Sequence, residues 1–107
     1  MTPEAFRQLV LADREVEEGM HQGHPDFRLD GRVVATLGYP DVGWAMVKVG
    51  AEDQEILLSS EPTHFQPAPG TWGRQGSTLV RLEALDEKTA RSAINMALLL
   101  ARRSGIR

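Results

Sequence analysis

The residues best suited by type and spacing to contact a ligand lie in Pro67–Leu82, Pro-Ala-Pro-Gly-Thr-Trp-Gly-Arg-Gln-Gly-Ser-Thr-Leu-Val-Arg-Leu. Glycines at 70, 73 and 76 let the backbone take φ > 0 or approach a ligand closely, and the prolines stiffen the way in. No acid lies between Pro62 and Leu82, so Trp72 and Arg74 are presented on a basic background. An arginine in this setting reaches phosphate or a guanine edge. The competing reading folds Trp72 back over the sheet edge and leaves Arg74 solvated. The stretch is not a phosphate-binding P-loop, because it lacks the Gly-Lys-Ser/Thr ending and precedes a strand instead of linking strand to helix.

Other reactive side chains are less organised. His21 and His24, followed by Asp26, are metal-capable types, but Gly23 and Pro25 make the segment read as a loop in which His24-Pro25 shapes a turn and the imidazole bonds to backbone. His64 has no serine, threonine or carboxylate placed beside it as a nucleophile–base pair. Glu17-Glu18 and Glu52-Asp53 read as solvated faces. The expectation is a chain with no catalytic residues, no metal site and no cofactor.

Composition narrows the class. A hydrophobic content of 41% and a charged content of 25% are those of a folded globular protein, and 107 residues suffice for one domain, 1–107. Zero cysteines remove disulfides, thiolate nucleophiles and cysteine-bound metals, which suits a reducing, cytoplasmic setting. The first residues carry no basic-then-apolar export pattern, and the longest apolar run, Met96–Ala101, is too short to span a bilayer. The net charge of -3 is unevenly placed: residues 1–61 hold 12 acids and 5 bases, net -7, and residues 62–107 hold 3 acids and 7 bases, net +4. The half containing the tryptophan–arginine stretch is the basic one.

These residues must be positioned by the elements around them. Thr2 and Pro3 open a helix to about Ala12, with Phe6, Leu9 and Val10 at helical spacing. The acidic run Asp13–Glu18 reads as a solvated lead-in to a first strand or edge near Val16–His21. Asp30-Gly31 between Phe27-Arg-Leu and Arg-Val-Val-Ala-Thr-Leu specifies a two-residue hairpin. Trp44–Val49 alternates, with Ala45, Val47 and Val49 on one face and Trp44, Met46 and Lys48 on the other. A short helix over Ala51–Ser60, a brief strand at Phe65–Pro67, a strand over Ser77–Leu82 and a helix from Glu87 to about Arg103 complete the chain. The order helix, three strands, helix, two strands, helix predicts an α+β two-layer sandwich, with about five antiparallel strands and the helices on one face.

Read together, these segments resemble the MmcQ/YjbR family of small bacterial proteins. The likeness is carried by Val16-Glu-Glu-Gly19, His24-Pro-Asp-Phe-Arg28, Gly31, Ala35-Thr-Leu37, Lys48-Val49, Gln54, Leu57-Leu58, Pro62, Phe65, Pro67-Ala-Pro-Gly70, Trp72-Gly-Arg74, Gly76 and Thr78. It implies a YjbR-like α+β fold, similar to secretion chaperones and to CyaY, and a DNA-binding role for a double-wing arrangement of hairpins. The chain departs from the family at Gln75, where lysine is frequent, and at Ser77, where tryptophan is frequent. The expected nucleic-acid contacts are Arg28, Lys48, Trp72, Arg74 and Arg81, made mainly to phosphates by a monomer. The alternative is a protein or peptide partner held on the sheet face carrying Trp44, Met46 and Trp72.

Overall fold

Thr2 caps the first helix: its Oγ1 accepts from the Ala5 amide at 3.1 Å, and Pro3 occupies the first turn, where a missing N–H costs nothing. In the computed structural model, which describes residues 1–104, this helix, α1, spans Pro3–Leu11. There follow β1 (Glu17–His21), β2 (His24–Leu29), β3 (Arg32–Leu37), β4 (Trp44–Lys48), α2 (Ala51–Ser60), β5 (Phe65–Pro67), α3 (Gly70–Arg74), β6 (Ser77–Arg81) and α4 (Glu87–Ser104). The α+β class and the succession of helix, strands, helix, strands and helix are those expected. One strand and one short helix are added to it.

The added strand arises because Gln22-Gly23 is a two-residue turn. Both residues have positive φ, 51° and 83°, and His21 pairs with His24 across it. Asp30-Gly31 repeats the device, with φ of 53° and 77° and Leu29 opposite Arg32. His24 and Pro25 therefore belong to a strand, not to the expected loop. The sheet is antiparallel throughout, in the order β1-β2-β3-β4-β6-β5.

Alternation sorts the sheet into two faces. Phe27, Ala35, Leu37, Ala45, Val47, Val80 and Phe65 share the inner face, and all are buried. A bulge in β3 leaves Val34 without an opposite residue, and both Val34 and Ala35 are buried. Helix α4 packs on β2, β3 and β4 through Ala90, Ala93, Ile94, Ala97, Leu98 and Ala101, while α1 lies against α4 and β3 and contributes Phe6 and Val10. Four alanines on the buried stripe allow a close approach of helix to sheet. At about 1.5 Å per residue, α4 is about 27 Å long and crosses the middle of the sheet.

The acidic run after α1 is not simply solvated. Arg102 of α4 donates to Asp13 Oδ2 at 2.7 Å and to Glu15 Oε1 at 2.8 Å, and Arg7 of α1 pairs with Glu18 at 2.9 Å. Burial raises the Asp13 carboxyl, but the hydrogen bonds from Arg102 and from the Glu15 amide outweigh it and hold the group below the ordinary aspartate range. A carboxylate with a depressed folded-state pKa stabilises the fold above its unfolded value, about 3.9, and loses that contribution as pH falls through the folded value. Urea midpoints followed down the acid limb are expected to fall more shallowly below about pH 4 for Asp13→Asn than for the parent. Equal slopes would show that the pair carries no proton linkage.

Candidate functional site on the open sheet face

Helices α1 and α4 occupy the inner face, leaving the opposite face of β1 to β4 without a helix over it. Register assigns its side chains. Gly19 stands opposite Asp26, Asp26 opposite Thr36, Thr36 opposite Met46 and Met46 opposite Leu79, one row across the strands. Lys48 pairs with Ser77 at one end of β4, and Trp44 pairs with Arg81 at the other, about 13 Å away along the strand. Arg28 lies beside Val33 on β2 and opposite Glu17 on β1.

A groove of about 430 Å³ runs over this row. It is lined by Asp26, Thr36, Met46 and Leu79 from that row and by His24, Tyr39 and Trp72. That volume is in the range of ligand pockets. A larger cavity, about 530 Å³, opens between Lys48, Arg32 and the end of α4, but its two cations are turned onto backbone carbonyls, Lys48 onto Gln75 and Arg32 onto Ser104. The smaller groove is the one with chemistry to offer.

Trp72 is 65% exposed, so it does not fold back as a plug over the sheet edge. It is held out by α3, and α3 is held by glycines. A Cβ on Gly73 would stand 1.9 Å from the Ala68 carbonyl oxygen, and one on Gly76, whose φ is 103°, would stand 1.9 Å from the Val49 carbonyl oxygen. At these two positions the close neighbour is the protein's own backbone, not a ligand. Gln54 of α2 completes the clamp, its Nε2 within 3.0 Å of Gly73 O, 3.3 Å of Ser77 O and 3.0 Å of Thr78 Oγ1. Buried Thr78 in turn donates to Gly76 O at 3.1 Å.

The expected contact residues divide. Arg28, Lys48 and Arg81 share the open face, and Trp72 lines its groove. Arg74 ends α3 outside the groove lining, its guanidinium on Thr71 Oγ1 at 3.0 Å. None of the cations is idle. Arg28 pairs with Asp26 at 2.9 Å, which raises the arginine further, and Arg81 lies over the Trp44 ring at 5.1 Å with Glu83 at 3.9 Å. Counting Glu17 and Asp26 against Arg28, Lys48 and Arg81, the face carries a net charge of only +1.

Asp26, which the sequence offered only as a metal-capable carboxylate after His21 and His24, is instead buried on this face. It is 2% exposed, its Oδ2 accepts from Arg28, and its Oδ1 has no partner among the described residues. Such an orphan acceptor costs about 1–3 kcal/mol of stability. The signal was its alternation with Phe27: a strand that buries Phe27 inward must send His24, Asp26 and Arg28 outward. The His24 imidazole makes no hydrogen bond to backbone among the described residues; it packs on Gly38, where a Cβ would lie 3.0 Å from Nδ1. No group of three or more histidines and carboxylates among the described residues is arranged to hold a metal ion. His64 donates from Nδ1 to Arg81 O at 3.1 Å, joining the segment before β5 to β6.

Two substitutions separate clamp from contact. Gly73→Ala is expected to lower urea stability by at least ~2 kcal/mol through overlap with Ala68, whereas Trp72→Ala is expected to stay within about 0.5 kcal/mol because the ring is largely in solvent. Comparable losses for both would mean that Trp72 is structural. Neither the protein-family models nor the curated proteins compared with the chain give a significant match.

Proposed function

We propose that the chain is a non-catalytic binding domain of the MmcQ/YjbR type that holds nucleic acid across the open face of its sheet. The observation carrying this reading is the meeting of Arg28, Lys48, Arg81 and the exposed Trp72 on one face, around a groove that no helix covers. Cations at the margins suit phosphates and an aromatic wall suits bases, as in other stacking platforms. The absence of cysteine agrees with work in the cytoplasm. Because the face has a net charge of only +1 and its cations have internal partners, binding by this surface is weak and tolerant of sequence.

A peptide partner is the second reading, favoured by one observation: the groove lining includes apolar Met46 and Leu79 together with the exposed Trp72. An extended segment with apolar anchors would use this lining and leave the marginal cations uninvolved.

Salt separates the two. Anisotropy titrations with labelled duplex and single-stranded probes are expected to show binding at ~50 mM salt, with a log–log slope no steeper than about -2.7 for a duplex held by three cations. Lys48→Ala and Arg81→Ala are each expected to make that slope shallower by about 0.9. No binding of either probe at ~50 mM salt would sink the nucleic-acid reading, since electrostatic complexes are strongest there.

A further inference from the structure

We infer that β1 is the contact strand of a weak symmetric dimer, in which two copies of this chain pair edge to edge, antiparallel, about a two-fold axis at Gly19. This stands apart from the nucleic-acid reading and replaces the monomer expected from the sequence. Strand β1 ends the sheet, pairs only with β2 among the described residues, and is exposed at all five positions, with Met20 at 67%. It has neither a proline nor a register shift, two of the devices that blunt an edge. The opposite edge, β5, is three residues long and ends in Pro67. One edge of the sheet is open and the other is closed.

The hairpin turn fixes which backbone groups are free. Gln22 and Gly23, with φ of 51° and 83°, close on His21 and His24, so the peptide groups of that pair face each other. Alternation then turns Gly19 and Glu17 toward β2 and leaves the N–H and C=O of Glu18 and Met20 pointing off the sheet. Pro25, which has no N–H, stands opposite Met20, as a pair that exchanges no hydrogen bonds permits. Two donors and two acceptors therefore line the edge, and none meets the backbone of another segment among the described residues.

Side chains select a second copy and its register. Centred on Gly19, the pairing uses all five residues of each strand: Glu18 exchanges both hydrogen bonds with Met20 of the second copy, Gly19 meets Gly19, and Glu17 stands opposite His21. The Glu17–His21 pair exchanges no backbone hydrogen bonds, the arrangement in which side chains lie closest. A neutral imidazole donates an N–H to the carboxylate there, and a protonated one adds a positive charge. Centring on Glu18 would set two carboxylates directly opposite, and centring on Met20 would leave Glu17 and Glu18 facing the turn. Glu18 is meanwhile matched within its own protomer by Arg7 at 2.9 Å. The axis stands perpendicular to the sheet, so two six-stranded sheets become one with both open faces on the same side, and the short β5 edges stop further growth.

Sedimentation equilibrium from ~10 µM to ~1 mM tests this; the contact is short, and the parent protein is expected to approach twice the monomer mass near the top of that range, with a Kd on the order of 100 µM. Met20→Pro removes an edge N–H that the protomer does not use and is expected to give a folded monomer at every concentration. His21→Lys is expected to tighten the dimer roughly fivefold, and His21→Glu, which sets carboxylates side by side at both ends of the contact, to loosen it roughly tenfold. If Met20→Pro does not fold, the opposite responses of the two His21 variants decide. A parent protein that stays monomeric at ~1 mM would overturn the inference. So would a dimer that persists in a folded Met20→Pro variant, or one that both His21 variants shift in the same direction.

Discussion

The structure depends on one packing constraint, the close seating of α4 on the inner face of the sheet. Its alanine-rich stripe presents little side-chain volume, and the strands beneath it present Phe27, Val34 and Val47, so that larger groups on the sheet fill the space that small groups on the helix leave. Since α4 and α1 together cover only that face, alternation along β1 to β4 sends every second residue to a surface with no helix above it. The open face is thus a consequence of how the core is closed. Its mixed character, with half-buried Trp44 and Met46 beside charged side chains, is what a sheet covered on one side produces.

The basic stretch that looked like a ligand loop is better understood as a clamp that holds Trp72 outward. Gly73 and Gly76 allow contact with the carbonyls of Ala68 and Val49, and Gln54 ties the ends of α2, α3 and β6 into one unit. Rigidity achieved in this way leaves a tryptophan on a well-fixed short helix with little further freedom to lose. Lys48 is drawn into the same unit by its bond to Gln75 O, so the cation and the aromatic ring are held by one local network.

Charge tells a similar story of internal use. The sequence separates into an acidic first half and a basic second half, yet folding brings the two together. Arg102 returns from the C-terminal helix to Asp13 and Glu15, 89 and 87 residues away, and Arg28 is spent on its strand neighbour Asp26. A net charge of +4 in residues 62–107 therefore does not become a +4 surface. What the open face keeps at its margins is smaller and more local: Lys48, Arg81 and the exposed ring of Trp72.

Much of the architecture was legible from local rules. The Asp-Gly hairpin, the alternation of Trp44–Lys48 and the helical spacing of Ala90 to Ala101 act over a few residues, so the α+β class, the two main helices and the two faces of β4 follow from the sequence by itself. Gln22-Gly23 obeys the same turn chemistry as Asp30-Gly31, but the histidines and proline around it disguised the strands it joins. The remaining features needed tertiary structure because they rest on contacts between segments distant in the chain. Only the fold could decide that Gly73 and Gly76 face backbone, that β6 inserts between β4 and β5, and that Arg102 is neutralised. Only the fold could bring Asp26 and Trp72 into the lining of one groove, since 46 positions separate the two and nothing local relates them. Periodicity assigns a residue to a face; what else stands on that face is settled by long-range packing.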